Sequence, residues 1–510
     1  LSNLKLRTAR GSIYMTAISF GIRPISMLLA IWLARLLTPA DFGLVALAMV
    51  VFNAANLFTD LGMRPTVVQT KEDINKVAHY AFVLVMAASI AFTVFSILVA
   101  GPIARLLGGS EGLVEVIRWM AVYVAIDGLW IVPESLLRRD LRFKELGLSQ
   151  LPGELASTII AIVLALMGFG VWSLVIGNCA GQLLRAALLW WYYRPWIWLR
   201  PQKWDRDILR GMFKFGLPSM GNGLLRYSQA QIDTFVIGRR LGAGPVGLYN
   251  KALNLTGRLS DMLTTSIFGN VLFPSYAKIQ DDRPRLARAY LKSSKMVFLM
   301  IVPVSVGLAI SAPLLVPVLL GPQWTPMIPI WQIFSLYGLL RPIVSNAAPI
   351  FQAVGQPKRN LTSGLVLMAI KLPLILLLVG PYGTIGVAVA VTVATLIGML
   401  FNVFQVNQIL PGTATKTFTQ SLPFFLAGGF MALGVFLLQE PIIALAGGEN
   451  LLALTLVVLL AAVIYLVAIL IMQWALVLEL YELFIKALGF DRRWPRLLPA
   501  RLREHPQTPK

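Results

Sequence analysis

Charged side chains stand deep inside the apolar segments of this 510-residue chain, and of the nine that follow six are cations. Arg23 lies in "SFGIRPISMLL" (19–29) with Pro24 directly behind it, and Arg226 and Asp233 lie in "LLRYSQAQID" (224–233). Lys251, Arg258 and Asp261 follow in "KALNLTGRLSD" (251–261), while Asp127, Arg341 and Lys371 each stand alone. A charge at membrane depth is costly and defaults to a functional candidate facing a cavity. Arginine brings a permanently charged planar fork that grips phosphate oxygens, and lysine a point charge. The excess of cations therefore points to an anionic substrate held by Arg23, Arg226, Arg258, Arg341, Lys371 and Lys251. Arg258 is seven residues from Lys251, close to two helical turns, so the two share a face. Asp261 is within reach of Arg258, and Asp233 can pair with Arg226 on its own helix. Asp127, Asp233 and Asp261 are candidates for ion coupling or charge pairing. Asp60, in "FTDLGMRP", reads as the cap or staple of a span end. Glu134 and Glu154 fall near the cytoplasmic interface and read as solvated. Pro24 reads as a kink that opens its span around the cavity, or as a hinge.

These residues need elements to hold them. The chain is 57% hydrophobic and 13% charged, against roughly 45–50% and about 25% in soluble domains. That composition is polytopic. Fourteen apolar segments are long enough to span: 12–37, 41–66, 78–101, 112–134, 149–169, 171–193, 215–239, 245–272, 294–320, 326–353, 360–380, 383–409, 420–438 and 451–478. The first runs into "LARLLTPADFG", which offers no small-residue cleavage site, so it is expected to remain as a span. The net charge of +21 sits in every second connection, which places both termini in the cytoplasm and removes the case for nucleic acid. Arg35, Arg105, Arg239 and Arg240 depart from this bias at span ends, where they can snorkel. One cysteine (Cys179) and two histidines (His79, His505) leave no basis for a disulfide framework or a metal site, and no cofactor is implied.

The chain also repeats itself. "LARLLTPADFGLV" (33–45) matches "IGRRLGAGPVGLY" (237–249), setting Arg35 opposite Arg239 and Gly43 opposite Gly247 at an offset of 204. "LLGG" at 106 matches "LLGP" at 319, and Gly170 falls opposite Gly383, both at 213. The repeat unit holds six spans, so both copies share one orientation, as in parallel repeats that rock about a site between them. The expected fold is an all-α polytopic membrane protein of two six-helix bundles with two extra C-terminal helices. The expected divisions are 1–193, a basic linker 194–214, a second bundle 215–410, an added pair 411–478 and a basic tail 479–510.

"GLPSMGNGLLRYSQAQIDTFVIGRRLGAGPVGLYNKALNL" (216–255) resembles spans seven and eight of Wzx-type polysaccharide flippases. Those belong to the multidrug/oligosaccharidyl-lipid/polysaccharide exporter superfamily. "FTDLGMRPTVVQ" (58–69), "ESLLRRDLRFKELG" (134–147), "LFPSYAKIQDDRPRLARAY" (272–290) and "LLGPQWTPMIPIWQI" (319–333) are similar to further signatures of its exopolysaccharide-exporter branch. The resemblance implies an oligosaccharide on undecaprenyl pyrophosphate, flipped from the inner to the outer leaflet of the bacterial cytoplasmic membrane. It also implies surrounding lipid and a polymerase and co-polymerase as partners, while the drive is open between a proton or sodium gradient, the membrane potential and consumption of product outside. Related flippases carry essential arginines in spans one and eight, where Arg23 and Arg258 stand here. In those relatives the last two spans form a groove for the lipid tail, which would be 420–438 and 451–478. Two rivals are a drug or cation antiporter of the same superfamily and a polymerase or glycosyltransferase acting on lipid-linked glycans. The first prefers acids in its N-terminal half, where Asp127 is the lone deep acid. The second needs long outward loops or a catalytic domain, for which the connections are too short.

Overall fold

A computed structural model describes residues 25–109, 111–193, 198–264 and 270–479, and the side chains of 219, 222, 261–264, 270 and 271 fall outside the description. All regular structure among the described residues is helical. Apolar runs of about 20 residues must satisfy every backbone group internally once water is excluded, and the helix does so. Among the described residues, ten helices are long and apolar enough to cross a membrane. The protein is therefore a multi-pass membrane protein.

The first half holds α1 (Ile25–Leu36), α2 (Pro39–Asp60), α3 (Met63–Gln69), α4 (Ile74–Leu98), α5 (Ala100–Leu106), α6 (Glu111–Arg139), α7 (Phe143–Leu166) and α8 (Val171–Tyr192). The second holds α9 (Arg206–Leu241), α10 (Ala243–Thr264), α11 (Asn270–Ala277), α12 (Arg283–Leu319), α13 (Ile328–Ala353) and α14 (Lys358–Ile409). The last two helices are α15 (Thr413–Leu445) and α16 (Leu451–Met472). Helices α9 and α10 are less apolar than these ten, since they carry Arg226, Asp233, Lys251, Arg258 and Asp261.

Several helices outrun the apolar segments. Asp205 caps α9 by accepting the amides of Asp207 and Ile208. Much of the expected linker 194–214 is therefore helical from Arg206 onward. Asp282 likewise caps α12 at the amide of Arg285, so the helix starts at Arg283, eleven residues before the apolar segment begins at 294. An apolar count ends where charges begin, whereas a helix ends where its amides find another partner. In the other direction, the segment 41–66 is broken between α2 and α3 at Leu61 and Gly62, both left-handed.

The repeat is visible as reciprocal contact between α2 and α10. A Cβ on Gly43 would lie 1.7 Å from the Ala243 carbonyl, and one on Gly247 would lie 1.8 Å from that of Pro39. Pro39 and Ala243 are themselves 204 apart, so each copy makes the other's contact, as a twofold requires. The arginines behave alike. Arg35 donates to the carbonyls of Leu319 (2.8 Å) and Val318 at the end of α12, and Arg239 donates to that of Leu106 (3.0 Å) at the end of α5. Gly170 (φ 53, ψ −129) and Gly383 (φ 56, ψ −136) hold one unusual backbone shape. Gly383 turns the chain inside α14 with no loop, so the 52 residues of that helix run as two arms.

One apolar core joins the halves, from Leu47 and Phe52 to Ile237, Trp324 and Phe334. A second joins α12 to the last two helices, where Val302 meets Gly428 and the Tyr465 hydroxyl donates to the Leu299 carbonyl (3.1 Å).

Candidate functional site

A cavity of about 720 Å³ opens between α1, α7, α8 and α10, so both halves contribute walls. Helices α7 and α8 meet backbone to backbone at glycines. A Cβ on Gly181 would sit 2.5 Å from the Gly153 carbonyl, and one on Gly177 would sit 2.6 Å from that of Ser157. Small residues four apart let membrane helices approach this closely. The approach fixes the polar side chains beside it: Gln150, Glu154 and Ser157 on α7, and Asn178, Gln182 and Arg185 on α8. Arg258 faces them from α10.

Arg185 is held from behind. Its guanidinium lies 3.9 Å from the Trp130 ring centroid and its Nη2 is 3.3 Å from Glu134 Oε2. Arg64 approaches the same ring (4.6 Å) and the same oxygen (3.6 Å), while Arg138 takes Oε1 through Nε (2.9 Å) and Nη2 (2.5 Å). The Glu134 side chain is 4% exposed. The expectation of a solvated Glu134 is thus corrected: three arginines from α3, α6 and α8 close around it. A carboxylate has about four lone-pair sites, and buried charge is tolerated only when they are filled. Asp127, Trp130 and Glu134 recur on one face of α6, and Asp127 is buried with Oδ1 unpartnered among the described residues. Glu154 is exposed, lines the cavity and accepts from Gln150 (2.8 Å).

The remaining sequence candidates are dispersed. Asp233 and Lys371 form a buried pair, Oδ2 to Nζ at 3.2 Å. Lys371 also donates to the Gln229 carbonyl (2.8 Å). Asp233 further accepts the Tyr249 hydroxyl (2.7 Å) and the Thr234 amide (3.1 Å). Its ionic partner thus comes from α14 and not from Arg226, its neighbour on α9. Lys251 donates to the Ala30 carbonyl (3.2 Å) and lies over the Phe42 ring (4.3 Å), so it joins α10 to α1 and α2. Arg226 is exposed on α9 outside the cavity lining. Arg341 rests on Gly257, with Nη1 3.1 Å from where a Cβ would stand, one residue before Arg258. Asp60 accepts the Arg64 amide (3.2 Å) and faces its Nε (3.4 Å), tying α2 to α3. Arg23, Pro24 and the side chain of Asp261 lie outside the described residues.

Of the six cations expected to hold substrate, Arg258 lines this cavity, and its companion there is Arg185. Sequence reading passed over Arg185, although it lies within the apolar segment 171–193 and so met the same criterion as the others. The spacing of Gly177 and Gly181, one turn before it, marks the face on which it stands.

The chain is 29% identical to the succinoglycan biosynthesis transport protein ExoT of Rhizobium meliloti, over 64% of this chain and 65% of that one. It is 24% identical to the lipopolysaccharide biosynthesis protein WzxC of Escherichia coli, over 82% and 84%. Among solved structures, its fold matches the lipid II flippase MurJ in an inward closed conformation, with a TM-score of 0.76 and 16% identity over 91% of this chain and all of that one. It also matches an inward-facing multidrug resistance transporter of the MATE family, with a TM-score of 0.62 and 18% identity over 78% and 98%. By name, one of these relatives is a transport protein and the two structural neighbours are a flippase and a transporter. The profile of the family described as polysaccharide biosynthesis protein matches residues 32–329, more than half of the sequence, and the chain belongs to that family.

Proposed function

We propose that the protein moves an oligosaccharide linked to a polyprenyl diphosphate from the inner to the outer leaflet of the bacterial cytoplasmic membrane, by alternating access between its halves. The observation that carries this reading is a cavity walled by both halves with one arginine from each, Arg185 and Arg258, beside a band of amide and hydroxyl side chains. Guanidinium forks suit the diphosphate. Gln150, Ser157, Asn178 and Gln182 offer the mixed donors and acceptors that sugar hydroxyls need. The polyprenyl tail stays in lipid.

In this reading the chain crosses the membrane fourteen times with both termini in the cytoplasm. Arg23 and Arg226 belong to the substrate path, and α15 and α16 border the tail. Asp127 is the coupling carboxylate for proton or sodium, because it is buried without a partner on its Oδ1 among the described residues. Polymerase and co-polymerase act on the product.

The test is outer-leaflet accessibility of a lipid-linked oligosaccharide in proteoliposomes. Wild-type protein should expose the glycan to an impermeant lectin or glycosidase. Arg258→Ala should abolish exposure while the amount of reconstituted protein stays the same. Normal exposure with Arg258→Ala would remove the cavity from the mechanism.

A further inference from the structure

The two arginine contacts between the halves are equivalent, but their surroundings differ. Around Arg239 two more arginines gather: Arg105 in the last turn of α5, and Arg240 beside it in the last turn of α9. Together the three line an open recess of about 450 Å³, and no carboxylate is among its lining residues. All three are exposed. Glycines bring the two helix ends together, since a Cβ on Gly108 would sit 2.4 Å from the Gly238 carbonyl.

Cations at helix C-termini can be explained by the helix dipole alone. The repeat tests that explanation. At the offsets 213 and 204, the counterparts of Arg105 and Arg240 are Val318 and Leu36. Arg35 makes its contact with the end of α12 without either extra cation. The contact between the halves therefore does not require Arg105 or Arg240. The topology read above puts this recess on the outward face, where short connections are depleted of Lys and Arg. Among the described residues Arg239 spends one of its five donors on Leu106, which leaves N–H groups to face the recess.

We propose that Arg105, Arg239 and Arg240 form an outward-facing site for the phosphate or diphosphate group of a lipid, either a bulk anionic phospholipid or the lipid-linked product. A phosphate there bridges α5 of the first half and α9 of the second. It binds the closed arrangement better than one in which the halves have separated, and so holds the outward side shut. The inference uses the membrane orientation of the proposed function, but not its cavity.

The experiment uses the full chain purified in detergent, with Arg105→Gln/Arg240→Gln, which keeps the Arg239 contact. Native mass spectrometry measures retention of phosphatidylglycerol against phosphatidylcholine. A second arm titrates a short-chain polyprenyl diphosphate in an Arg185→Gln/Arg258→Gln background, which removes both arginines of the central cavity. The double variant should weaken binding by about tenfold or more, the worth of one charge-assisted hydrogen bond. Loss confined to phosphatidylglycerol identifies bulk lipid, and loss confined to the diphosphate identifies the product. Unchanged binding in both arms overturns the site. Arg105→Lys/Arg240→Lys, which keeps the charge but not the fork, should fall between the two and serves if the glutamine variant fails to fold. Transport by Arg258→Ala is read separately, so failure of the transport reading and failure of this site are distinguishable.

Discussion

The two halves make matching backbone contacts with each other but keep their buried charges differently. In the second half, Asp233 is enclosed by Lys371, Tyr249 and the Thr234 amide. Both of its oxygens are occupied, and none of these groups lines the cavity. In the first half, Glu134 gathers Arg64, Arg138 and Arg185, and the last of these reaches the cavity wall. One network is closed and joins helices. The other is open at one end and presents a cation. A buried ion pair is therefore no guide to function until its outermost member is located.

Breaking the closed network should have the largest effect on stability. Lys371→Ala leaves Asp233 charged and buried, a loss of about 3–5 kcal/mol for one partner of a buried pair. Its melting temperature in detergent should fall sharply, and Asp233→Leu/Lys371→Met should recover most of the loss. A double variant no more stable than Lys371→Ala would show that the pair is more than a brace.

Opening the other network should strike transport instead. Arg185→Ala removes charged hydrogen bonds worth about 1.5–3 kcal/mol, or roughly 10- to 100-fold in rate. Outer-leaflet glycan exposure should drop by that much with little change in melting temperature. An equal loss of stability would place Arg185 with Lys371 as a structural cation.

Glu134→Gln should act more weakly, about 3- to 10-fold on transport, because the Trp130 ring still holds the Arg185 guanidinium. Arg185→Ala/Glu134→Gln should be no worse than Arg185→Ala alone. Additive losses would mean that Glu134 acts on substrate independently of Arg185.

The smallest effect is expected at the contacts between the halves. Arg35→Gln and Arg239→Gln each forfeit exposed hydrogen bonds worth about 0.5–1.5 kcal/mol. Each should modestly raise the labelling rate of a cysteine placed on the outward seam. A large difference between the two would show that the recess beside Arg239 adds to closure on that side.

The repeat was legible because its marks are constraints on the backbone. Gly43 and Gly247 permit carbonyl contact, and Gly170 and Gly383 adopt a shape that a side chain would strain. Such positions stay recognisable while packed apolar residues exchange freely. Cations in apolar segments were legible for the same reason, as violations of a strict rule. Their partners were not. Arg64, Glu134 and Arg185 are scattered along the chain, and Asp233 and Lys371 lie 138 residues apart. Nothing in helical periodicity reports which spans are neighbours. Glu134 reads as solvated from its place near the cytoplasmic interface, whereas the helix carries it inward against Arg185.

The turn at Gly383 has one more consequence. With the two arms of α14 joined by a single residue and no loop, that connection presents no flexible segment to a protease. Digestion of intact cells from outside should spare it, whereas inverted vesicles expose the basic connections around Arg283 and Arg142. The fragment pattern would then report the orientation of the whole chain.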